Sequence, residues 1–400
     1  MATKVLVHVG APKTGTSFVQ DLLFRHREEL LADGILYPAD RFDAHFLAAL
    51  DLMQLRWGGL EQEAIGRWDA LAQQVRDHDG VAIISHEILG RANRLQVARA
   101  LESFGDAEIH IVMSARDLAR QIPAEWQENV KHRRELTYAS FLSALRSPER
   151  DREIAQWFWA VQEVPDVLAR WGDTLPKDQV HLITVPAPGA PPETLWHRFA
   201  GVLGIDTDRY RPDDEPANAS LGAAEAAMIR RLNEELNGVL PNHHYRTYVR
   251  EHLVHRGLSK DGKSARLVLP ADVHDWAREL SRSWVAEVAL RGYQVTGELD
   301  DLLPGEAGEF VDPDHPDESL VSDAAIRALA RTLQETGRLR DVEIELHEII
   351  DDLSAALDRA RSTKVYQAKE RLVHLADHNP AAKVGLGAYR RLRGRNSRST

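Results

Sequence analysis

The chain has 400 residues, 43% of them hydrophobic, and a formal net charge of −12. That length supports one large domain or two ordinary ones with a substantial core, and the acidic balance leaves no broad basic field, so nucleic acid is not an expected partner. The absence of cysteine excludes disulfides and thiolate metal sites. No apolar run approaches the roughly 18 residues of a membrane span, and no basic-then-apolar leader precedes the first strand. The expectation is a cytoplasmic protein without an integral membrane segment.

Residues 1–297 alternate strand-like and helix-like segments. The first strand is Lys4-Val5-Leu6-Val7-His8-Val9, and Phe18, Leu22, Leu23 and Leu30 recur behind it at helical spacing. A short extended piece follows at 34–38, then helical periodicity at about 44–56 and 61–78. Buried strands are predicted at 81–85, 109–113 and 180–185, with helices at about 117–132 and 193–203. Strands spaced by helices imply a parallel sheet covered on both faces. The fold class is α/β, an open parallel sheet flanked by helices. Trp157, Phe158, Trp159 and Trp171 fall in one helical region, either as core or as faces for stacking on a sugar. Segments 222–238, 244–255 and 271–292 read as helices.

The stretch 298–323 carries ten acidic residues, no lysine or arginine, and Pro304, Pro313 and Pro316. That is linker composition. The pattern at 324–378 is helical again. Leu339, Val342, Leu346, Ile349, Leu353, Ala356 and Ala360 alternate steps of three and four, a heptad seam. It reads either as a helix packed on its own domain or as a coiled coil joining a homodimer. The segment 379–400 ends in Arg390, Arg391, Arg393, Arg395 and Arg398, a basic tail expected to be solvated and disordered, or weakly drawn to an anionic surface.

The chemistry concentrates at Gly10-Ala11-Pro12-Lys13-Thr14-Gly15-Thr16-Ser17, between the first strand and the first helix. Strand, glycine-bracketed turn and helix form a phosphate cradle: the backbone comes close to the anion and helix amides point at it. The nucleoside-triphosphatase loop is GxxxxGK[ST]. Here Gly10 and Gly15 keep the spacing, but Thr16 stands at the lysine position and the lysine lies inside the loop as Lys13. This arrangement, with Gln20 following, resembles the P-loop-like 5′-phosphosulfate loop of bacterial-type sulfotransferases that use 3′-phosphoadenosine 5′-phosphosulfate (PAPS). Only Ser17 differs from that family's pattern, and it keeps the hydroxyl. A second feature fits the resemblance: the strand at 109–113 runs through Ser114-Ala115 to Arg116, at the position of the family's 3′-phosphate arginine. The serine the family places eight residues on is Ala124 here, with Ser114, Gln121 and Gln127 as candidate replacements.

The resemblance implies a PAPS-dependent sulfotransferase acting on a hydroxyl of a carbohydrate, lipid or small molecule, with PAPS as sulfuryl donor and no metal. Lys13 would neutralise charge on the leaving phosphate. The amides of Thr14, Gly15, Thr16 and Ser17, and the hydroxyls of Thr16 and Ser17, would hold the 5′-phosphate. Arg116 would read the 3′-phosphate. The base that takes the acceptor's proton is His45 or Glu87, with His86 as a further candidate. Two other classes stand beside this one: a P-loop kinase or nucleoside triphosphatase, disfavoured by Thr16 and by the lack of a clear magnesium carboxylate, and a non-catalytic nucleotide-fold scaffold acting through its C-terminal helix.

Overall fold

The computed structural model describes residues 2–211, 220–259, 264–378 and 384. It divides into two units, residues 1–328 and 329–400. The basic tail expected at 379–400 lies outside the described residues apart from Val384. Among the described residues no helix is long and apolar enough to cross a membrane.

The first unit is built on six parallel strands: β1 (Lys4–His8), β2 (Ile35–Leu36), β3 (Val81–Ser85), β4 (Glu108–Ala115), β5 (Val180–Thr184) and β6 (Gln294–Thr296), in the order β2-β3-β1-β4-β5-β6. Alternation along the strands splits the core in two. Val5 and Val7 face one layer with Ile84, Ile111, Met113 and Leu182. Leu6 faces the other with Ile83, Val112 and Ile183. The expected strands at 4–9, 81–85, 109–113 and 180–185 are present. β6 has no apolar run of its own; it forms because Gln294–Thr296 meets the open edge of β5.

The two layers meet different helices. Thr16–Arg25, which leaves β1, and Thr194–Leu203, which leaves β5, bury Val19, Leu22, Leu23, Trp196 and Phe199 on the Leu6 side. Leu118–Lys131, which leaves β4, buries Leu118, Ile122, Trp126 and Val130 on the Val5 side. The neighbours β1 and β4 therefore send their connections to opposite faces, a topological switch point at their carboxyl ends. Open α/β sheets bind ligands at such a switch point. Trp171, Phe158 and Trp159 are core residues. Trp157 is half-buried against Trp57, with Arg91 over its ring.

The segment expected as a helix at 244–255 is Tyr245–Leu258, and it is wound with the wider i→i+5 hydrogen bonding. Its buried residues are Tyr245, Val249, Leu253, Val254, Gly257 and Leu258.

The acidic stretch does not behave as a free linker. Asp301 accepts hydrogen bonds from Thr184 (2.7 Å) and Arg198 (2.7 Å) beneath β5, and Leu302 is buried. Asp314 accepts the amides of Tyr138 (2.9 Å) and Ala139 (2.8 Å) at the start of the Tyr138–Arg146 helix. Two of the carboxylates that suggested a solvated linker are here held by specific partners, while Glu306 and Glu309 are exposed. A single helix, Glu318–Ser362, begins inside the stretch, with Val321, Ala324 and Ala328 buried. In the second unit that helix leaves its seam open: Leu339, Val342, Leu346, Ile349 and Leu353 are exposed. Lys364–His378 is also helical.

If Asp301 anchors the acidic stretch, D301A leaves the Arg198 guanidinium, 17% exposed, without its carboxylate. A urea midpoint corresponding to a loss of about 1–3 kcal/mol is expected. An unchanged midpoint would mean that the segment only lies on the surface.

Candidate functional site

The loop leaves β1 through two constrained glycines. Gly10 has φ of 127°, and a β-carbon there would sit 3.0 Å from the Glu87 carbonyl oxygen. Gly15 has φ of 90° at the entrance to the Thr16–Arg25 helix, where a β-carbon would lie 2.7 Å from Leu195. Lys13, between them, also has positive φ, 64°. The helix has no side-chain cap and no acidic residue in its first turn, so its N-terminal amides and positive dipole end face the loop uncompensated.

Buried hydroxyls fix the loop to the neighbouring strands. The Ser114 hydroxyl on β4 lies 2.6 Å from Thr14 Oγ1, 2.9 Å from the Gly10 carbonyl oxygen and 3.3 Å from His8 Nε2. His8 Nδ1 is 2.8 Å from the Ser85 hydroxyl on β3, and Thr14 donates to the Ala11 carbonyl at 2.6 Å. Burial pushes the His8 imidazole down to about 4, against the pull of Glu87, so this relay is neutral. The Thr14 side chain is thus spent on the loop, and only its amide is left to meet a ligand. Thr16 is buried with no side-chain hydrogen bond among the described residues, and Ser17 is exposed.

Arg116 sits at the end of β4. Its Nε donates to Gln121 Oε1 at 3.0 Å and an Nη to the Arg120 carbonyl at 3.1 Å. Gln121 in turn donates to the Pro12 carbonyl at 2.6 Å, coupling Arg116 to the loop. Burial, with Arg120 nearby, pushes the guanidinium down to about 10, against Asp117 and Glu125; it remains cationic at neutral pH. Of the replacements suggested for the serine missing at Ala124, Gln121 borders Arg116. Gln127 is taken up by the backbone of Leu221, and Ser114 by the loop.

The structure brings together carboxylates that the sequence reading did not single out. Lys13 Nζ pairs with Glu128 of the Leu118–Lys131 helix. Glu128 also lies 3.1 Å from His132, 3.7 Å from Arg250 and 4.0 Å from Lys131; the His132 hydrogen bond and the charges of Lys13 and Lys131 outweigh its burial and hold its carboxyl well below the usual range. One turn earlier, Glu125 is buried, and its Oε2 has no hydrogen-bond partner. Burial pushes it up to about 7; Lys13 opposes the shift, and Glu128 and Glu87 add to it. Gln121, Glu125 and Glu128 follow steps of four and three and so share one face of the helix, a spacing visible in the sequence.

The sequence-derived base candidates occupy different settings. His45 is buried; its Nδ1 accepts the Ser85 amide at 3.1 Å and its Nε2 donates to the Pro38 carbonyl at 3.2 Å. Burial, then His86, push it down to about 4, and neither ring nitrogen is left for an acceptor's proton. His86 is likewise lowered by burial, against Glu87. Glu87 is partly exposed beside the loop and accepts from Gln20 at 2.8 Å. Burial, which alone would raise it, is outweighed by His86, the Gln20 hydrogen bond, its own amide and His8, so its carboxyl lies below the ordinary value. Among the described residues no group of three His, Asp or Glu side chains is arranged to hold a metal. Two surface grooves, one of about 520 Å³ between Leu142 and Val273 and one of about 450 Å³ around Gly238, have no lining residue from the loop.

No family model matches the chain, and neither curated proteins nor solved structures provide a match.

Glu125 generates a test of this electrostatic arrangement. Its folded pKa lies above its unfolded value, so the folded state binds more protons between about pH 4.5 and 7 and stability falls as pH rises through that window. Above the window the ionised carboxylate costs about 3 kcal/mol. E125Q is expected to raise Tm at pH 8 relative to the parent, with little gain at pH 4. Parallel pH profiles of the two proteins would show that Glu125 is not buried as described.

Proposed function

We propose that the chain is a PAPS-dependent sulfotransferase acting in the cytoplasm on a hydroxyl acceptor. The observation that carries the reading is the loop itself: a lysine-bearing, glycine-bracketed turn at the β1/β4 switch point, tied through Gln121 to a half-buried arginine at the end of the adjacent strand. One cation lies in the loop and a second stands at the strand end, and a nucleotide bearing both a 5′-phosphosulfate and a 3′-phosphate presents anions for both. The amides of Thr14, Gly15, Thr16 and Ser17, with the Thr16 and Ser17 hydroxyls, would hold the 5′-phosphate. Arg116 would take the 3′-phosphate with the guanidinium donors that Gln121 and Arg120 leave unused.

In this reading the acceptor oxygen bonds to sulfur as the sulfur–oxygen bond to the 5′-phosphate breaks. The bridging electrons go to that phosphate, where Lys13 neutralises them after exchanging Glu128 for the ligand. The acceptor's proton goes to a carboxylate. Glu87 suits that role, because it stands partly exposed beside the loop and its surroundings hold its carboxyl below the ordinary value. Glu125 is the opposite case. Nearby phosphates would raise it further, so it would act protonated, as a hydrogen-bond donor.

Two measurements test this. In calorimetry with chelator present, 3′-phosphoadenosine 5′-phosphate should bind, and R116A should weaken it about tenfold to a hundredfold while hardly affecting adenosine 5′-phosphate. In turnover assays K13A should cost at least about 10²–10³ and E87Q about 10²–10⁴, with nucleotide binding retained in E87Q. Magnesium-dependent ATP binding with no response to the 3′-phosphorylated nucleotide would replace this reading by a kinase or nucleoside triphosphatase.

The second unit's open seam supports a homodimer through Glu318–Ser362, because the heptad leucines Leu339, Leu346 and Leu353 are solvent-exposed in the single chain. Sedimentation equilibrium should find a dimer for the full chain and a monomer for L346K/L353K, since each leucine buried between helices contributes about 1.5–3 kcal/mol. Equal masses for the two proteins would remove the seam from assembly.

A further inference from the structure

Beside the Lys13 end of the loop, the structure gathers more positive charge than the donor reading uses. Lys131, on the last turn of the Leu118–Lys131 helix, is only 6% exposed. Its ammonium makes no hydrogen bond among the described residues; its one ion pair is the 4.0 Å approach to Glu128. Arg250 reaches the same carboxylate at 3.7 Å from the Tyr245–Leu258 helix, and its Nε is buried without a partner. Lys13 is the third cation on Glu128. One carboxylate is thus shared by three basic side chains, and Lys131 and Arg250 touch it without a hydrogen bond; burial pushes the Lys131 ammonium down to about 8, against the pull of Glu128, so at neutral pH it is still mainly charged.

A buried ammonium with unused donors is costly unless something fills them. The fold invests in keeping these groups here. Arg133 donates to the Leu240 carbonyl at 2.7 Å and lies over the Tyr245 ring, and Tyr245 donates to Asn233 at 2.6 Å. Asn233 donates to the Val130 carbonyl at 2.8 Å. These contacts hold the wide-pitched helix against the end of Leu118–Lys131, next to Lys131. His255, on the same wide-pitched helix, adjoins both Lys131 and Arg250, and burial lowers it, so it adds a neutral imidazole. The cluster is not sealed: Lys13 and Arg250 side chains are 32% and 30% exposed.

We propose that Lys131 and Arg250 form a binding site for an acidic group on the acceptor, so that the molecule modified is already an anion: a carboxylate, a sulfate ester or a phosphate ester with a nearby free hydroxyl. This rests on the sulfotransferase reading for what happens to that hydroxyl, but not for the binding of the anion. With Lys13 engaged by the donor, Lys131 and Arg250 outnumber Glu128 two to one, and their unfilled donors receive the acceptor's oxygens. Docking of the anion there would hold the acceptor beside Lys13, so charge would select the substrate and position it together.

The test uses the full chain saturated with 3′-phosphoadenosine 5′-phosphate and four probes that share one sugar: glucose, glucuronate, glucose 6-sulfate and glucose 6-phosphate. Calorimetry should show at least one anionic probe binding about tenfold or more tighter than glucose, and the tightest of the three identifies the anion class. K131M and R250Q should each remove most of that advantage and leave nucleotide affinity intact. Arg250 is partly exposed, so R250Q carries the test if K131M fails to fold. Three results overturn the proposal: no anionic probe preferred over glucose, an anion preference lost in K13A but kept in K131M and R250Q, or displacement of the anion by the nucleotide. Anion binding that depends on Lys131 and Arg250 in a chain that ignores the nucleotide would keep this site and discard the sulfotransferase reading.

Discussion

The site depends on a buried chain of polar contacts running across three strands. Ser85 on β3, His8 on β1 and Ser114 on β4 are joined through the imidazole, and Ser114 passes the connection on to Gly10 and Thr14. Backbone bonds run alongside: the Val9 amide to Val112, the Ala11 amide to Ser114 and the His86 amide to His8. In a low-dielectric interior, losing one member strands the others without partners. The loop is therefore not a flexible appendage of β1. Its conformation is set by the same residues that align the three central strands, and Lys13 inherits its position from them.

Much of this was legible from residue types alone. The strand Lys4–His8 and the loop after it announce themselves by β-branched residues followed by glycine, proline and lysine at fixed spacing. Arg116 does so by following an apolar run. The local chain decides those features. Glu125 and Glu128 were not legible in the same way, because a glutamate in a helix reads as solvated surface. Here Glu125 is buried and Glu128 half-buried beside the loop, and Glu128 has a cationic partner while Glu125 has none. His45 is the converse case. Its place after Tyr37-Pro38 and ahead of a helix made it a candidate base, yet the fold commits both of its nitrogens to backbone groups.

The acidic stretch teaches a related lesson about composition. Ten carboxylates and three prolines without a cation read as a spacer, because nothing local can neutralise or bury them. The partners are distant in sequence: Arg198 for Asp301 and the unfilled amides at the start of Tyr138–Arg146 for Asp314. A helix N-terminus accepts a carboxylate from anywhere in the chain. Likewise, the i→i+5 winding of Tyr245–Leu258 changes which residues share a face, and a reading based on the 3.6-residue period places its charged side chains wrongly.

The Lys13–Glu128 pair has a consequence for discrimination among anions. The lysine is already paired: an incoming anion gains it by displacing a half-buried carboxylate that is close. The exchange is a substitution at constant local charge for a monoanion, which therefore gains little. A ligand carrying several negative groups can spread itself over the lysine, the helix amides and Arg116 at once, while Glu128 falls back on His132, Lys131 and Arg250. In the proposed reading, internal competition of this kind would act as a valence filter, screening out monoanions and admitting polyanions.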